Sequence, residues 1–133
     1  MPSPYNSLVR NFLRALEAGG LDVATLAPLL GPEAVLHAPD GISEGTLDHT
    51  GPDGVSAYLT GLRTASGGTL ALKPQSFELR DRGAVSLLDA TGSRDGTEFA
   101  EKVRLVLGLS AGRVQELWID PVDRESFARA FGA

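Results

Sequence analysis

The stretch LWIDPVDRESF, Leu117 to Phe127, carries the chain from a strand through a proline into a helix. Two aspartates, Asp120 and Asp123, stand at that junction. Asp-Pro makes a good N-cap followed by a first helical residue. Asp123 also precedes a helical run, with Phe127 and Phe131 four apart on its apolar side. Only one of them can be the principal cap. If it is Asp123, then Asp120 still belongs to the strand, and alternation puts it on the face of Trp118 and Glu116. Asp120 is then either a cavity carboxylate or a plain cap, and the rest of the chain has to decide.

Upstream of this junction, four strand-like segments at 68–80, 83–92, 98–109 and 113–120 are separated by the turn sequences RDRG, GSRDG and SAG. Before them, Leu8, Val9, Phe12, Leu13 and Leu16 follow the spacing of an amphipathic helix over Tyr5 to Ala18, stopped by two glycines. A second helix fits 21–30, and GPEAVLHAP reads as a strand ending at Pro39. DGISEGTLDHTG reads as a loop with a short hairpin. A third helix runs from Pro52 to about Thr64, with Val55, Tyr58, Leu59 and Leu62 on its apolar face, and the last spans about 121–131. This order predicts one α+β domain over 1–133: a cone-shaped, curved antiparallel sheet packed on three helices from the N-terminal half plus a C-terminal helix. A sheet curled around helices leaves a central apolar cavity, the usual setting for a small-molecule site.

The 133 residues suffice for one core, and 42% are hydrophobic, with no window apolar enough for a membrane span. MPSPYNSLVR lacks the basic start and apolar run of a secretory signal, so a cytoplasmic location is expected. Cysteine is absent, which removes disulfides and thiolate nucleophiles. A net charge of −5 with singly scattered arginines and lysines argues against nucleic acid. His37 and His49, 12 residues apart, suggest no metal site. There is no Gly-rich phosphate loop in a strand-to-helix context, no G-x-S-x-G and no repeat.

LVRNFLRALEAGGLDVATLAPLLGPEAVLHAP, GPDGVSAYLTGL and GRVQELWIDPVDRESFARAF together resemble the nuclear-transport-factor-2-like superfamily, in particular its SnoaL-like small enzymes. The likeness covers nearly the whole chain. It implies the cone-shaped fold, a homodimer, no cofactor, and a cavity that hosts isomerases, cyclases, dehydratases, epoxide hydrolases or inert binding modules. Ketosteroid isomerases of this fold use a tyrosine and two aspartates where this chain has Phe12, Ala38 and about Val103, none of which moves a proton. The histidine and aspartate of SnoaL-like cyclases are matched by Ala90 and by Lys102 or Arg104. The limonene-epoxide-hydrolase branch is the nearer pattern. Its W-x-D-x-x-D-x-x-x-F run matches Trp118, Asp120, Asp123 and Phe127, with Asp120 implied in the cavity and Asp123 at the helix start. Its second cavity aspartate is matched by Asp89, its arginine is replaced by Leu87, and its water-positioning asparagine is matched by His37.

The residues themselves admit two readings each. Asp89 shares a face with Val85 and Leu87, which points it inward, or it is solvated near a hairpin. Were Asp89 and Asp120 to share a dry cavity, repulsion and desolvation would raise one pKa and separate acid from base. His37 is a cavity acid, base or water-holder, or a hydrogen-bonded side chain at a strand end. Trp118, Tyr58, Phe12 and Leu87 are candidates for the substrate-binding wall, where Tyr58 could orient a ligand. Lys102 and Arg104 share one face, either solvated, dimer-facing or in the cavity. His49 reads as solvated, and Glu44 and Asp48 as part of an entrance loop.

The resulting expectation is acid–base catalysis on a small apolar, lightly oxygenated metabolite. The reaction would be epoxide opening, cyclisation or isomerisation, with Asp120 as base, Asp89 as acid and His37 positioning the nucleophile. The alternative is a non-catalytic small-molecule-binding or dimerisation module of the same fold.

Overall fold

The computed structural model describes residues 5–39 and 46–131. Helix α1 (Tyr5–Glu17) buries Val9, Phe12, Leu13 and Leu16 along one stripe. The second helix is much shorter than 21–30. It is the single turn α2 (Val23–Leu26), started by Asp22, whose carboxylate accepts from the backbone amide and the hydroxyl of Thr25. Pro28 cannot extend it, and Leu30 already belongs to strand β1 (Leu30–Pro39). Strand β2 (Thr46–Thr50), from the segment expected as a loop with its own short hairpin, instead folds back antiparallel on β1. Gly51 at φ 76° turns the chain into α3 (Gly51–Ala65), with Pro52 in its first turn. Then come β3 (Ala71–Arg80), β4 (Gly83–Arg94), β5 (Thr97–Ser110) and β6 (Arg113–Pro121), and finally α4 (Arg124–Phe131).

The strands form one six-stranded curved, unclosed sheet in the order β2-β1-β6-β5-β4-β3. It is not wholly antiparallel, because β1 lies parallel to β6. The crossover from β1 to β3 carries the hairpin strand and α3, and the β3–β6 meander then returns its last strand alongside β1.

Alternation gives the sheet two faces. The inner one carries Leu36 and Ala38 of β1, Leu88 and Ala90 of β4, Val103, Leu105 and Leu107 of β5, and Leu117 and Ile119 of β6, all buried in the main core. Against it pack α1 beside β3, α3 beside β1 and β2, and α4 beside β5 and β6. Burial of such side chains is worth roughly 25 cal/mol per Å² and drives the assembly. The outer face carries Val35 and His37, Glu116, Trp118 and Asp120, Lys102, Arg104 and Val106, and Val85, Leu87 and Asp89, partly or largely exposed.

Candidate functional site

Inside the cone, the free space amounts to about 30 Å³. Its wall includes Phe12, Leu36, Leu59, Val103, Phe127 and Phe131, and every lining residue is apolar. A void of that size and character holds a water or two at most and offers a water no partner. Phe12 is thus in the cavity wall. Tyr58 lies just beyond the lining on α3, its ring 4.9 Å from that of His49, and burial raises its phenol pKa above the ordinary value.

The start of α4 separates the roles of Asp120 and Asp123. Asp123 is the cap: its Oδ1 accepts from the Ser126 amide at 3.0 Å, and its carbonyl receives the Phe127 amide. Asp120 remains on β6 with Trp118 and Glu116, as alternation requires. That face, however, is the one turned away from the helices. Asp120 is exposed and accepts from Arg104 Nη1 at 2.9 Å.

The inward direction expected of Asp89 is likewise not found. On β4 the inner positions are Ala84, Ser86, Leu88 and Ala90, so Val85, Leu87 and Asp89 point outward. The apolar run offers hydrophobic residues in both phases, with Val85 and Leu87 in the outer one and Ala84, Leu88 and Ala90 in the inner one, so side-chain character alone does not choose the face. Asp89 pairs with Lys102 Nζ at 2.9 Å and accepts from Gln75 Nε2. The register of β5 explains both pairs. Its Glu101, Val103 and Leu105 face inward, so Lys102 and Arg104 face outward, directly across from Asp89 and Asp120 respectively. Each aspartate therefore has its own cation, and the two share no cavity.

His37 is on the same outer face. Its Nδ1 lies 2.7 Å from Asp48 Oδ1, and its Nε2 lies 2.8 Å from Glu116 Oε2. Acceptors at both nitrogens favour the imidazolium form, in which both N–H groups donate. The hydrogen bond to Glu116 raises its pKa most, desolvation opposes, and Asp48 adds to the rise. The imidazole stacks on Trp118. Trp118 in turn lies over Gly108 of β5, where an added β-carbon would meet its ring at 3.6 Å. The structure thus brings His37, Trp118, Glu116 and Asp48 together across β2, β1 and β6, separately from Phe12 and the cavity. Asp48 belongs to β2 and pairs with His37 in register. Glu44 lies outside the described residues. Among those residues no group of three or more His, Asp or Glu side chains could hold a metal ion.

One carboxylate escaped sequence reasoning. Glu101 is only 8% exposed and is the one charged side chain among the buried residues described. It lies on the inner face beside Val103, and its Oε2 accepts from Ser126 Oγ at 2.6 Å. The signal was present in EKVRLVL: Glu101 is in phase with Val103, Leu105 and Leu107.

No protein-family model matches the sequence, and no curated protein matches it either. Solved structures do. Bal32a, from a soil-derived mobile gene cassette, superposes with a TM-score of 0.84 at 22% identity, over 96% of each chain. An NTF2-like protein of unknown function from Burkholderia pseudomallei superposes with a TM-score of 0.77 at 21% identity, over 99% of this chain and all of that one. The fold is that of the nuclear-transport-factor-2-like superfamily. Within it, a putative SnoaL-like polyketide cyclase from a Jannaschia species gives a TM-score of 0.78 at 16% identity, over 100% of this chain and 97% of the other. At identities this low the superpositions show the nuclear-transport-factor-2-like fold alone, and a fold of this kind hosts many chemistries. Among the described residues, no helix is long and apolar enough to cross a membrane.

Proposed function

We propose that this chain is a small-molecule-binding module of SnoaL-like fold whose cone, closed to about 30 Å³ without ligand, opens to take an apolar metabolite, without acid–base chemistry at Asp89 and Asp120. The observation that carries the reading is the cavity wall, in which Phe12 and its neighbours present only hydrocarbon. Such a wall selects by shape and desolvation and transfers no proton. Asp89 and Asp120 are engaged by Lys102 and Arg104 on the other face of the sheet. The same face, with Leu87 36% exposed beside half-buried Val85, Val106 and Trp118, would seat a second copy of the chain.

The test is an NMR titration of the methyl-labelled protein with naphthalene. Shifts concentrated at Leu36, Leu59, Val103 and Leu105 support the reading. Shifts confined to Val85, Leu87 and Val106, or no shifts at all, overturn it.

A cofactor-independent epoxide opening, cyclisation or isomerisation is the second reading, favoured by the likeness to the putative polyketide cyclase. Asp120, Asp89 and His37, the groups the sequence offers for it, all project from the outer face.

A further inference from the structure

Helix α4 is the wall between two spaces. On one side is the small apolar cavity, closed there by Phe127 and Phe131. On the other is an open groove of about 590 Å³ lined by Arg94, Glu98, Phe99, Glu101, Ser126 and Arg129. The two phenylalanines stack on each other with centroids 4.7 Å apart, and Phe131 meets Phe99 edge-on at 5.0 Å. Side-chain ties across to the strands help hold the helix. Ser126 Oγ donates to the buried Glu101, and Arg94 Nη1 donates to the Arg129 carbonyl. The last backbone tie to the sheet before it is the Val122 amide on the Lys102 carbonyl. An eight-residue helix does not persist on its own and depends on this seat.

We infer that α4 is the cone's own occupant, and that a ligand enters by displacing it and takes over the hydrogen bond to Glu101. The inference rests on the cone-binding reading and extends it to a named gate and a named polar contact. Three groups of one short helix already fill the roles a ligand would play. Phe127 and Phe131 occupy the apolar volume, and the Ser126 hydroxyl satisfies the carboxylate. A carboxylate buried beside an apolar ligand needs a donor, so the favoured ligand carries a hydroxyl or amine at the end nearest Glu101.

Hydrogen exchange on the full chain, with and without 1-naphthol, tests this, together with the affinities of 1-naphthol and naphthalene for the native protein and variants. Saturating 1-naphthol should speed exchange of the amides of 124–131 while those of β4 and β5 stay protected. Ser126→Ala, by making the displaced state more populated, should tighten both probes about threefold or more. Native protein should prefer 1-naphthol over naphthalene, and Glu101→Met, or Glu101→Gln should the first not fold, should narrow that preference.

If 1-naphthol binds but exchange over 124–131 slows or stays the same, α4 is not the gate, and the cone-binding reading stands without it. Equal affinity of the native protein for both probes removes Glu101 from the site. Failure of both probes to bind either the native protein or Ser126→Ala overturns the cone-binding reading itself, and this inference with it.

Discussion

The His37 imidazole lies against the Trp118 indole with ring centroids 5.2 Å apart and planes inclined by 26°. Because Glu116 and Asp48 hold that imidazole in its charged form, its pKa is raised in the folded protein above the ordinary 6.5. The stabilisation it brings is therefore full below pH 6.5 and is lost as pH rises through the higher folded value. Both carboxylates are about half exposed, so solvent screening limits the effect to about 0.5 kcal/mol. Urea unfolding at pH 6 and pH 9 should show the native protein losing that increment, whereas His37→Gln stays flat over the same interval. A larger loss in the variant than in the native protein would contradict the assignment.

The two aspartates of the opening stretch should separate cleanly in thermal unfolding. Asp123→Ala removes the side-chain cap of α4 and should cost about 1 kcal/mol. Asp120→Asn breaks one exposed ion pair with Arg104 and should cost no more than about 0.5 kcal/mol. The reverse order would mean that Asp120, not Asp123, anchors the junction.

Leucines on the two faces of the sheet should behave differently. Leu36 is fully buried in the cone, and Leu36→Ala should destabilise by about 2–5 kcal/mol. Leu87→Ala, on the outer face, should cost well under about 1.5 kcal/mol and act instead on self-association. Sedimentation velocity of the Leu87 variant measures that second effect, and an unchanged sedimentation coefficient would remove Leu87 from any contact between copies.

Two glycines carry opposite expectations. A β-carbon at Gly61, within α3, meets nothing within 4 Å, so Gly61→Ala should stabilise by about 0.5–1 kcal/mol through the unfolded chain. At Gly83 the same atom would lie 2.6 Å from the Leu107 carbonyl oxygen, which belongs to the β4–β5 ladder and cannot step aside cheaply. Gly83→Ala should therefore lower the melting temperature while Gly61→Ala raises it.

Much of the architecture was legible in the sequence because periodicity and turn chemistry agree. The stripe from Val9 to Leu16 reads only as a helix, and Gly96 and Gly112, both at positive φ, fall in the turns that punctuate the meander. The parallel pairing of β1 with β6 was not legible, since no local signal records which distant strand a segment will meet. The candidate site suffered from a related ambiguity. Strand alternation says that Asp89 shares a face with Val85 and Leu87, and that Asp120 shares one with Trp118, but not which face is buried. On β4 both phases carry a leucine, Leu88 inside and Leu87 outside, so apolar character does not decide the face. On β5 the phase was unambiguous, and following it two residues back from Val103 leads to Glu101.

The parallel pair also orders events in time. His37 meets Trp118 across a rung that spans about eighty residues of chain, whereas β3 to β6 are joined by short turns. On a ribosome, the early hairpin of β1 and β2 must therefore wait, one edge unpaired, until Pro121 has been added, although the later meander can zip up as it emerges. That exposed edge is where a nascent chain of this protein would be most open to a chaperone or to its own neighbours.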